Sequence, residues 1–269
     1  MTLVTFGETM LRYAPPPGER LEAAEELSVH VGGAESNVAV AAARLGREVT
    51  WLSKLPASPL GDRVERAVAA QGVTTAVVRS ETGRQGVYYV EFGGRPRGTD
   101  VHYDRADAAV TTATPDELAT DRVAAADAFH TSGITPALSA TLADTTRELL
   151  ATAQSAGTTT VLDVNYRSKL WSAEAAAGTL TDLLEFVDTL VVAERDAETV
   201  FGWSGDPAAV GRGLLADHGH ETVVVTRGAE GAVAVTADAV VERPAFEAER
   251  KSTRLNSSHI TRSRMPSSA

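Results

Sequence analysis

Short apolar runs rich in β-branched residues alternate with longer helix-forming segments along most of the chain. The runs predict strands over Leu3–Phe6, Val49–Leu52, Thr75–Val78, Ala126–Thr131, Thr159–Val164, Thr189–Val192 and Thr222–Thr226. The segments between them predict helices over Ala34–Leu45, Asp62–Gln71, Ser139–Ser155, Ala173–Phe186, Arg195–Val200 and Pro207–His218. This alternation is typical of a parallel sheet covered on both faces. The sequence therefore predicts an α/β fold, with ligands beyond the carboxyl ends of the strands.

Two regions break the alternation. The stretch Met10–Val31 contains three consecutive prolines, Pro15–Pro17, and is too irregular for a helix. The stretch Gly86–Tyr103 predicts a β-hairpin, because aromatic and β-branched residues flank the glycine-rich turn 93–98. We expect the two regions to form a small sheet over one end of the main domain. Such a sheet would act as a lid that excludes water from a ligand site.

The composition restricts the class of protein. Apolar residues make up 43% of the 269 residues and no window is long enough to cross a bilayer, which predicts a soluble globular protein. The first residues lack the pattern of a signal peptide, which favours a cytoplasmic location. The absence of cysteine excludes disulfides and thiolate chemistry. The net charge of −11 argues against general binding to nucleic acid or to an anionic membrane.

Acidic residues outnumber basic ones, and lysine is rare among the basic residues. Only three of the 25 basic residues are lysine, and the rest are arginine. An acidic surface with few lysines favours a protein adapted to high salt, in which surface carboxylates keep the chain solvated. A genome of high GC content would also favour arginine over lysine, so both explanations stay open.

The last nineteen residues, 251–269, differ from the rest in composition. They include four basic residues, six serines and no acid, and they show neither helical nor strand periodicity. They resemble a translated cloning or sequencing-adapter segment that occurs on unrelated predicted proteins. We therefore expect one domain over residues 1–250 and a disordered, non-native tail over 251–269.

The run Gly32–Asn37 leads directly into the first predicted helix. Its adjacent glycines, Gly32 and Gly33, have no Cβ and allow a close backbone approach. A glycine turn at a helix N-terminus is suited to a polar ligand, to which Asn37 would offer a donor and an acceptor. A tight turn before a core helix is the alternative. No Gly-Lys pair occurs, so the usual phosphate-binding loop is absent.

Two predicted strands end in groups of polar residues. Tyr103 and Arg105 follow the hairpin, and the arginine fork would bind a carboxylate or a phosphate. Asp163, Asn165 and Arg167 end a predicted parallel strand, and period-two alternation would place them on one face. In each case a solvated strand end is the alternative.

Two further segments carry weaker signals. The run Thr222–Thr226 followed by the glycine turn Arg227–Gly231 would admit the base and ribose of a nucleotide, or is a simple hairpin. His218 and His220 end a helix without a third ligand at metal-binding spacing. We expect them to be surface histidines rather than a metal site.

Together these motifs resemble the ribokinase-type (PfkB) carbohydrate kinases, and among them most closely the 2-keto-3-deoxygluconate kinases. The resemblance covers residues 3–249 and implies a ribokinase-like three-layer α/β/α sandwich, with a mainly parallel sheet and lid segments at about 10–31 and 86–105. The motifs that carry it are, in chain order, Phe6–Glu8, Gly32–Asn37 with Arg44–Gly46, Leu60–Asp62 with Gln71–Val73, Tyr103–Arg105, Asp163–Arg167 with Leu170–Trp171, and Thr226–Gly231.

The resemblance implies an enzyme that uses ATP and Mg²⁺ to phosphorylate a sugar or sugar acid, with 2-keto-3-deoxygluconate and its 6-phosphate as the favoured pair. The substrate-binding residues it implies are Gly32, Gly33, Asn37, Tyr89, Tyr103, Arg105 and Arg167. The ATP-binding residues it implies are Asn165, Arg167, Thr226, Gly228 and Gly231. Family members often dimerise through their lids, so a homodimer is expected. A fructokinase or ribokinase is one alternative, and a non-catalytic sugar-binding or regulatory protein is another.

The chain departs from the family pattern at two places. The family's Asn-x-x-Glu, which helps organise phosphate-bound Mg²⁺, falls on Ala193 and Asp196, so the Asn is lost and the carboxylate is shorter. Asp196 is therefore the candidate for an indirect metal contact. After Phe246–Glu249 the family continues into Asp-x-x-Gly-Ala-Gly-Asp, whose final Asp is the catalytic base and whose backbone amides form the anion hole. This motif does not occur here, so we expect a C-terminally truncated kinase with little or no activity.

Overall fold

Strands alternate with helices in the computed structural model, which describes residues 1–93 and 98–246. The strands are β1 Thr2–Phe6, β2 Met10–Ala14, β3 Ser28–Gly32, β4 Glu48–Pro56, β5 Thr74–Ser80, β6 Val87–Phe92, β7 Thr99–Asp104, β8 Ala128–Ser132, β9 Thr159–Asp163, β10 Thr189–Ala193, β11 Thr222–Thr226, β12 Ala232–Val235 and β13 Val240–Arg243. The α-helices are α1 Ala34–Arg44, α2 Pro59–Ala69, α3 Thr120–Ala124, α4 Ala140–Ala156, α5 Ala173–Leu184, α6 Glu194–Phe201 and α7 Pro207–His218. The centre of the predicted hairpin turn (94–97) and the predicted tail (251–269) lie outside the described residues.

The main sheet has nine strands in the order β13-β12-β11-β10-β9-β8-β1-β4-β5. Every neighbouring pair from β11 to β5 is parallel, whereas β12 and β13 are added antiparallel. The α/β fold predicted from the sequence is confirmed. Because parallel strands all point the same way, their carboxyl ends meet at one edge of the sheet. Asp163, at the end of β9, lies at this edge.

Helices cover both faces of the sheet in its first half. Adjacent residues of β4, Trp51 and Leu52, belong to different core clusters, because successive strand residues point to opposite faces. Leu52 shares its cluster with Leu149 of α4 and Leu180 of α5. Trp51 shares the other cluster with Val64 of α2. The result is the three-layer arrangement that the sequence predicts.

The second half of the sheet is covered less evenly. On one face of β9, β10 and β11, residues such as Leu162, Leu190 and Val223 are fully buried in the larger core cluster. The alternate residues Val191 and Val224, on the opposite face, are only half-buried. In the part of the chain that the structure describes, this second face is therefore partly accessible to solvent.

A separate four-stranded sheet, in the order β3-β2-β6-β7, combines the two regions that break the helix–strand alternation. Strand β2 pairs antiparallel with β3 and parallel with β6, and β6 and β7 form the predicted hairpin. One face of this lid sheet, with Leu11 and Val87, packs into the cluster around Trp51. Its other face carries Tyr88 of β6 and Tyr103 of β7.

Capping residues define several helix ends. Ser139 accepts a hydrogen bond from Leu142 N–H at 3.0 Å at the start of α4, which ends at Gly157 with φ 79°. Asp206 caps the N-terminus of α7 and Gly219 ends the helix, so α7 has the bounds predicted from the sequence. No helix among residues 1–93 and 98–246 is long and apolar enough to span a membrane.

Candidate functional site

The Gly32–Gly33 turn joins lid strand β3 to helix α1. A Cβ at Gly33 would overlap the carbonyl oxygen of Glu8 and lie 2.8 Å from Thr9 Oγ1. A Cβ at Gly32 would lie 2.6 Å from the hydroxyl oxygen of Tyr88. The close approach expected from the sequence is therefore present, and it brings the turn against the β1–β2 loop and the lid.

Arg105 lies at the base of the lid, directly after β7. Its Nη2 donates to Glu8 Oε2, and the two side chains are only 11% and 4% exposed. Its guanidinium carbon lies 5.5 Å from the centre of the Tyr103 ring, within cation–π range. The Tyr103 and Tyr88 ring centres are 6.0 Å apart. A continuous series of contacts thus connects the glycine turn, Glu8, Arg105 and the two tyrosines.

Tyr89 is not part of this group. The strand register pairs Tyr88 with Tyr103 and Tyr89 with His102, so Tyr89 lies on the opposite face of the lid sheet. There it stacks on Tyr13, with ring centres 5.5 Å apart, and packs against the Trp51 cluster. The structure therefore brings Tyr88, rather than Tyr89, next to Gly32 and Tyr103. Asn37 is exposed on α1, one turn after Gly33.

Glu35 is a buried acid behind the glycine turn. Its Oε1 accepts hydrogen bonds from Ser132 Oγ, at the end of β8, at 2.5 Å and from Thr135 Oγ1, just beyond it, at 3.1 Å. Burial raises the pKa of Glu35 to about 7, although both hydroxyl donors favour the charged form. The side chain fixes the first turn of α1 to the edge of the main sheet. Sequence reasoning noted Glu35 only as a member of the glycine motif.

The end of β9 holds the second polar group. The strand ends at Asp163, and Asn165 adopts a left-handed φ of 41° and donates its N–H to Asp163 Oδ1 at 3.2 Å. The alternation that would place Asp163, Asn165 and Arg167 on one face therefore does not hold beyond Asp163. Burial raises the pKa of Asp163 to about 6, while the Asn165 N–H and the Arg167 charge lower it. Arg167 is thus within electrostatic reach of Asp163.

A lysine connects this strand end to the lid. Lys169 Nζ donates to the carbonyl oxygen of Val101 at 2.7 Å and lies 3.4 Å from Asp100 Oδ1. Val101 and Asp100 belong to β7, and Lys169 belongs to the loop that carries Arg167. The loop after β9 and the lid therefore meet across the edge of the main sheet.

The segment proposed to face a nucleotide lies two strands further along the sheet. Thr226 ends β11, and Gly228 with φ 58° opens a short 3₁₀ turn. Gly231 has φ 99°, and a Cβ there would overlap the carbonyl oxygen of Arg243. The segment forms an antiparallel hairpin with β12, and its turn lies at the carboxyl edge.

Asp196 lies in the first turn of α6 and is 3% exposed. It accepts a hydrogen bond from Arg195 Nε at 3.1 Å. Its charge contributes to the raised pKa of Asp163, so the two carboxylates are electrostatic neighbours. Within the described ranges, no three His, Cys, Asp or Glu residues are grouped so that they would hold a metal ion by themselves.

The prediction of two surface histidines is wrong for His220. Its side chain is buried, and its Nδ1 lies 2.6 Å from the carbonyl oxygen of Val187. The preceding Gly219, with φ 74°, ends α7 and turns the chain back towards the sheet, which carries His220 inside.

Fold and site together define an α/β protein in which a small lid sheet meets the polar carboxyl edge of a parallel sheet. The chain belongs to the pfkB family of carbohydrate kinases, which it matches over residues 2–253. It is 57% identical over 247 residues to the 2-dehydro-3-deoxygalactonokinase of Haloferax volcanii, an alignment that covers 92% of this chain and 78% of that protein.

Solved structures agree with this assignment. The 2-dehydro-3-deoxygluconokinase of Thermotoga maritima is 32% identical with a TM-score of 0.83, and the match covers 89% of this chain and 78% of that one. A fructokinase from Xylella fastidiosa with bound ATP is 27% identical with a TM-score of 0.78, covering 90% and 77%. The predicted ribokinase-like fold and carbohydrate-kinase class are confirmed, and kinases of this family use ATP.

Proposed function

We propose that this protein is a kinase for a 2-keto-3-deoxy sugar acid, and that the terminal hydroxyl of the sugar accepts the γ-phosphoryl group of ATP. The observation that carries the proposal is Arg105, which is held at the cleft by Glu8 and Tyr103. A planar guanidinium in a half-buried site binds a carboxylate well, and a neutral sugar offers it none. We favour an acid sugar over fructose or ribose for this reason.

Two acids fit the proposal, 2-keto-3-deoxygluconate and its galactonate epimer, which differ in the configuration of one hydroxyl-bearing carbon. The Thermotoga structure bears the name of a kinase for the first, and the Haloferax relative that of a kinase for the second. The carboxylate, the keto group and the terminal hydroxyl are common to both. The residues assigned below therefore suit either acid, whose product is the 6-phosphate.

On the substrate side, we assign the backbone of Gly32 and Gly33 and the amide of Asn37 to the sugar hydroxyls. Tyr103 would pack along the sugar, together with Tyr88 in the role expected for Tyr89, because Tyr88 lies on the same lid face. The sugar carboxylate would be bound by Arg105 and, from the opposite side of the cleft, by Arg167.

On the nucleotide side, the roles assigned to Asn165, Arg167, Thr226, Gly228 and Gly231 follow from their place at the carboxyl edge. Asn165 and Arg167 would bind phosphate oxygens, since a guanidinium stabilises charge on a transferring phosphoryl group. The glycines of the β11–β12 turn would let the base and ribose approach the backbone.

The neighbouring carboxylates Asp163 and Asp196 fit a magnesium ion carried by the nucleotide. Mg²⁺ is usually held by one or two carboxylates together with substrate phosphates. Burial, and to a smaller extent the charge of Asp196, raises the pKa of Asp163, and a nearby cation would favour the ionised form of Asp163. Bound Mg²⁺ would neutralise charge on the phosphates.

The sequence contains no Gly-Ala-Gly-Asp, so the described residues include no counterpart of the family's base and anion hole. A positioned general base contributes roughly 10²–10⁴ in rate, and an oxyanion donor a further factor on the order of 10²–10³. We therefore propose that this chain by itself binds its substrates but phosphorylates the sugar very slowly.

We also propose a homodimer that forms through the lid sheet, where the side chain of Phe92 is 56% exposed.

The acid-sugar assignment is tested by calorimetric binding of both acids and of fructose to the wild type and to Arg105→Ala. Because hydrogen bonds to charged groups contribute about 1.5–3 kcal/mol, we expect the variant to bind the acids roughly ten- to a hundredfold more weakly. Binding of fructose should stay unchanged. Arg147→Ala is the control, since Arg147 forms an exposed pair with Asp144 on α4. Equal losses for acids and fructose would contradict the acid-sugar proposal and favour a fructokinase.

A further inference from the structure

Glu8 lies in the short loop between β1 and β2, where the main sheet joins the lid sheet. The loop is held on both sides of it. Ser53 Oγ donates to the carbonyl oxygen of Gly7 at 2.9 Å, and Gln85 Nε2 donates to that of Thr9 at 2.8 Å. Both bonds are buried, so the Glu8 backbone has little freedom.

The carboxylate of Glu8 lies behind Arg105, away from solvent. Its side chain is 4% exposed, less than the 11% of Arg105. A Cβ at Gly86 would lie 2.5 Å from Glu8 Oε1, so the glycine leaves just enough room for the acid. Burial raises the pKa of Glu8 and the charge of Arg105 opposes this. The acid is therefore stabilised in place by one guanidinium and by the shape of its surroundings.

This arrangement restricts how the Arg105 fork can turn. A guanidinium carries five N–H donors in one plane, and here one nitrogen is bonded to Glu8. The Tyr103 ring lies on another side, with its centre 5.5 Å from the guanidinium carbon. Donors that do not face Glu8 remain for a ligand, and the contacts with Glu8 and Tyr103 restrict the rotation of the long side chain.

We propose that Glu8 is a positioning residue that fixes the Arg105 guanidinium for the carboxylate of a sugar acid and so sets the preference for acid over neutral sugars. This inference rests on the proposed function. Its physical basis is preorganisation, since ordering a flexible side chain on binding lowers the affinity for the ligand. With Glu8 present, that cost is met during folding rather than during binding.

The experiment compares the affinities of the wild type, Glu8→Ala and Glu8→Gln for 2-keto-3-deoxygluconate, its galactonate epimer and fructose by calorimetry. In Glu8→Ala we expect the acid sugars to bind up to about tenfold more weakly, with fructose changed less than about twofold. Glu8→Gln keeps an acceptor oxygen at the same reach, so it should restore most of the acid-sugar affinity. A purely structural role would lower the affinities for acids and fructose in parallel.

A matched control and a second variant keep the inference testable. Glu117→Ala removes the partner of the buried Lys54, at 2.9 Å, and should leave the acid-to-fructose ratio unchanged. If Glu8→Ala does not fold, Glu8→Asp keeps the charge, falls one methylene short of Arg105, and should lower the same ratio. The inference alone would be overturned if the wild type prefers acid sugars and the folded Glu8 variants keep the same ratio of acid-sugar to fructose affinity. A wild type without preference for acids would overturn the proposed function, and this inference with it.

Discussion

The turn at Gly33 has no room for the methyl group that an alanine would add. A Cβ there would overlap the carbonyl oxygen of Glu8, which is backbone and cannot rotate away. We expect Gly33→Ala to lower the free energy of unfolding by about 1–3 kcal/mol and to weaken sugar binding. Gly178 is the matched control, since nothing lies within 4 Å of a Cβ there. As a helix-interior position in α5, Gly178→Ala should raise the free energy of unfolding by about 0.5–1 kcal/mol. Denaturant titrations that gave both variants the same sign would contradict the steric role of Gly33.

Glu35 makes stability depend on pH. Its pKa is about 7 in the folded protein and near 4.5 in the unfolded chain, so the folded state retains the proton longer. Its contribution is therefore full below about pH 4.5 and is lost as the pH rises through 7. We expect Glu35→Gln to gain stability over the wild type across that interval, by up to about 3 kcal/mol.

Denaturant titrations at several pH values measure this difference. Glu117→Gln is a control with the opposite trend, because the hydrogen bond from Lys54 lowers the pKa of Glu117. The wild type should therefore lose stability relative to this control variant as the pH falls. A Glu35→Gln difference that does not change with pH would show that Glu35 is ionised in the folded protein.

The sequence predicts the chemistry of the site better than the exact residues. Adjacent glycines and a run of Tyr-Asp-Arg are local signals, and they led to Gly32, Gly33, Tyr103 and Arg105. The choice between Tyr88 and Tyr89 depends on strand register, which no local pattern reveals when two tyrosines are adjacent. Glu8 and Glu35 were missed as individual residues, because their partners lie about a hundred residues away along the chain.

At the scale of elements, Lys169 connects the loop after β9 to lid strand β7. Its ammonium bonds the Val101 carbonyl, and the pair with Asp100 is exposed, so it adds little to overall stability. We expect Lys169→Ala to increase hydrogen exchange in β7 and to weaken sugar binding by a small factor, with an unchanged melting temperature. Arg147→Ala, at a similarly exposed pair, is the control. Unaltered exchange in β7 would show that the lid is held by other contacts.

Strand β4 shows where local patterns fail at this scale. The sequence predicts that it ends at Leu52, because Ser53 and Lys54 are polar, yet it pairs with β5 as far as Pro56 and Ser80. Both polar residues are buried because they have distant partners. Ser53 bonds the Gly7 carbonyl, and Lys54 bonds Glu117. The local pattern of polar and apolar residues does not reveal these hydrogen bonds to distant partners.

At the scale of the molecule, the half-buried face of β9–β11 among the described residues leads us to expect self-association. Exposed apolar surface beyond a few hundred Å² usually marks an interaction site or an aggregation risk. We expect the isolated chain to be poorly soluble and Val224→Thr to reduce its association in light scattering. Val225→Thr is the adjacent control on the buried face, and it should lower the free energy of unfolding by about 1–3 kcal/mol instead. A monodisperse wild type that melts cooperatively would contradict this expectation.

The order of strands and helices is the part of the whole molecule that the sequence predicts best. Alternating apolar and helical segments specify the parallel sheet, and the two regions that break this rhythm are the lid sheet. The antiparallel edge strand β13 was missed, because its residues are exposed and carry no strand alternation. The local pattern also gives no distance between the lid and the strand ends.

The central claim is that these residues form the substrate site of an acid-sugar kinase. The most direct measurement joins residues 1–249 to a segment from a relative that carries Asp-x-x-Gly-Ala-Gly-Asp, after cooperative melting has shown that the chimera is folded. Phosphorylation by ATP is then followed for 2-keto-3-deoxygluconate, its galactonate epimer, fructose and ribose. We expect transfer to at least one of the acids, faster than to either neutral sugar. A folded chimera that binds these sugars but phosphorylates none would contradict the kinase assignment and favour a sugar-binding protein.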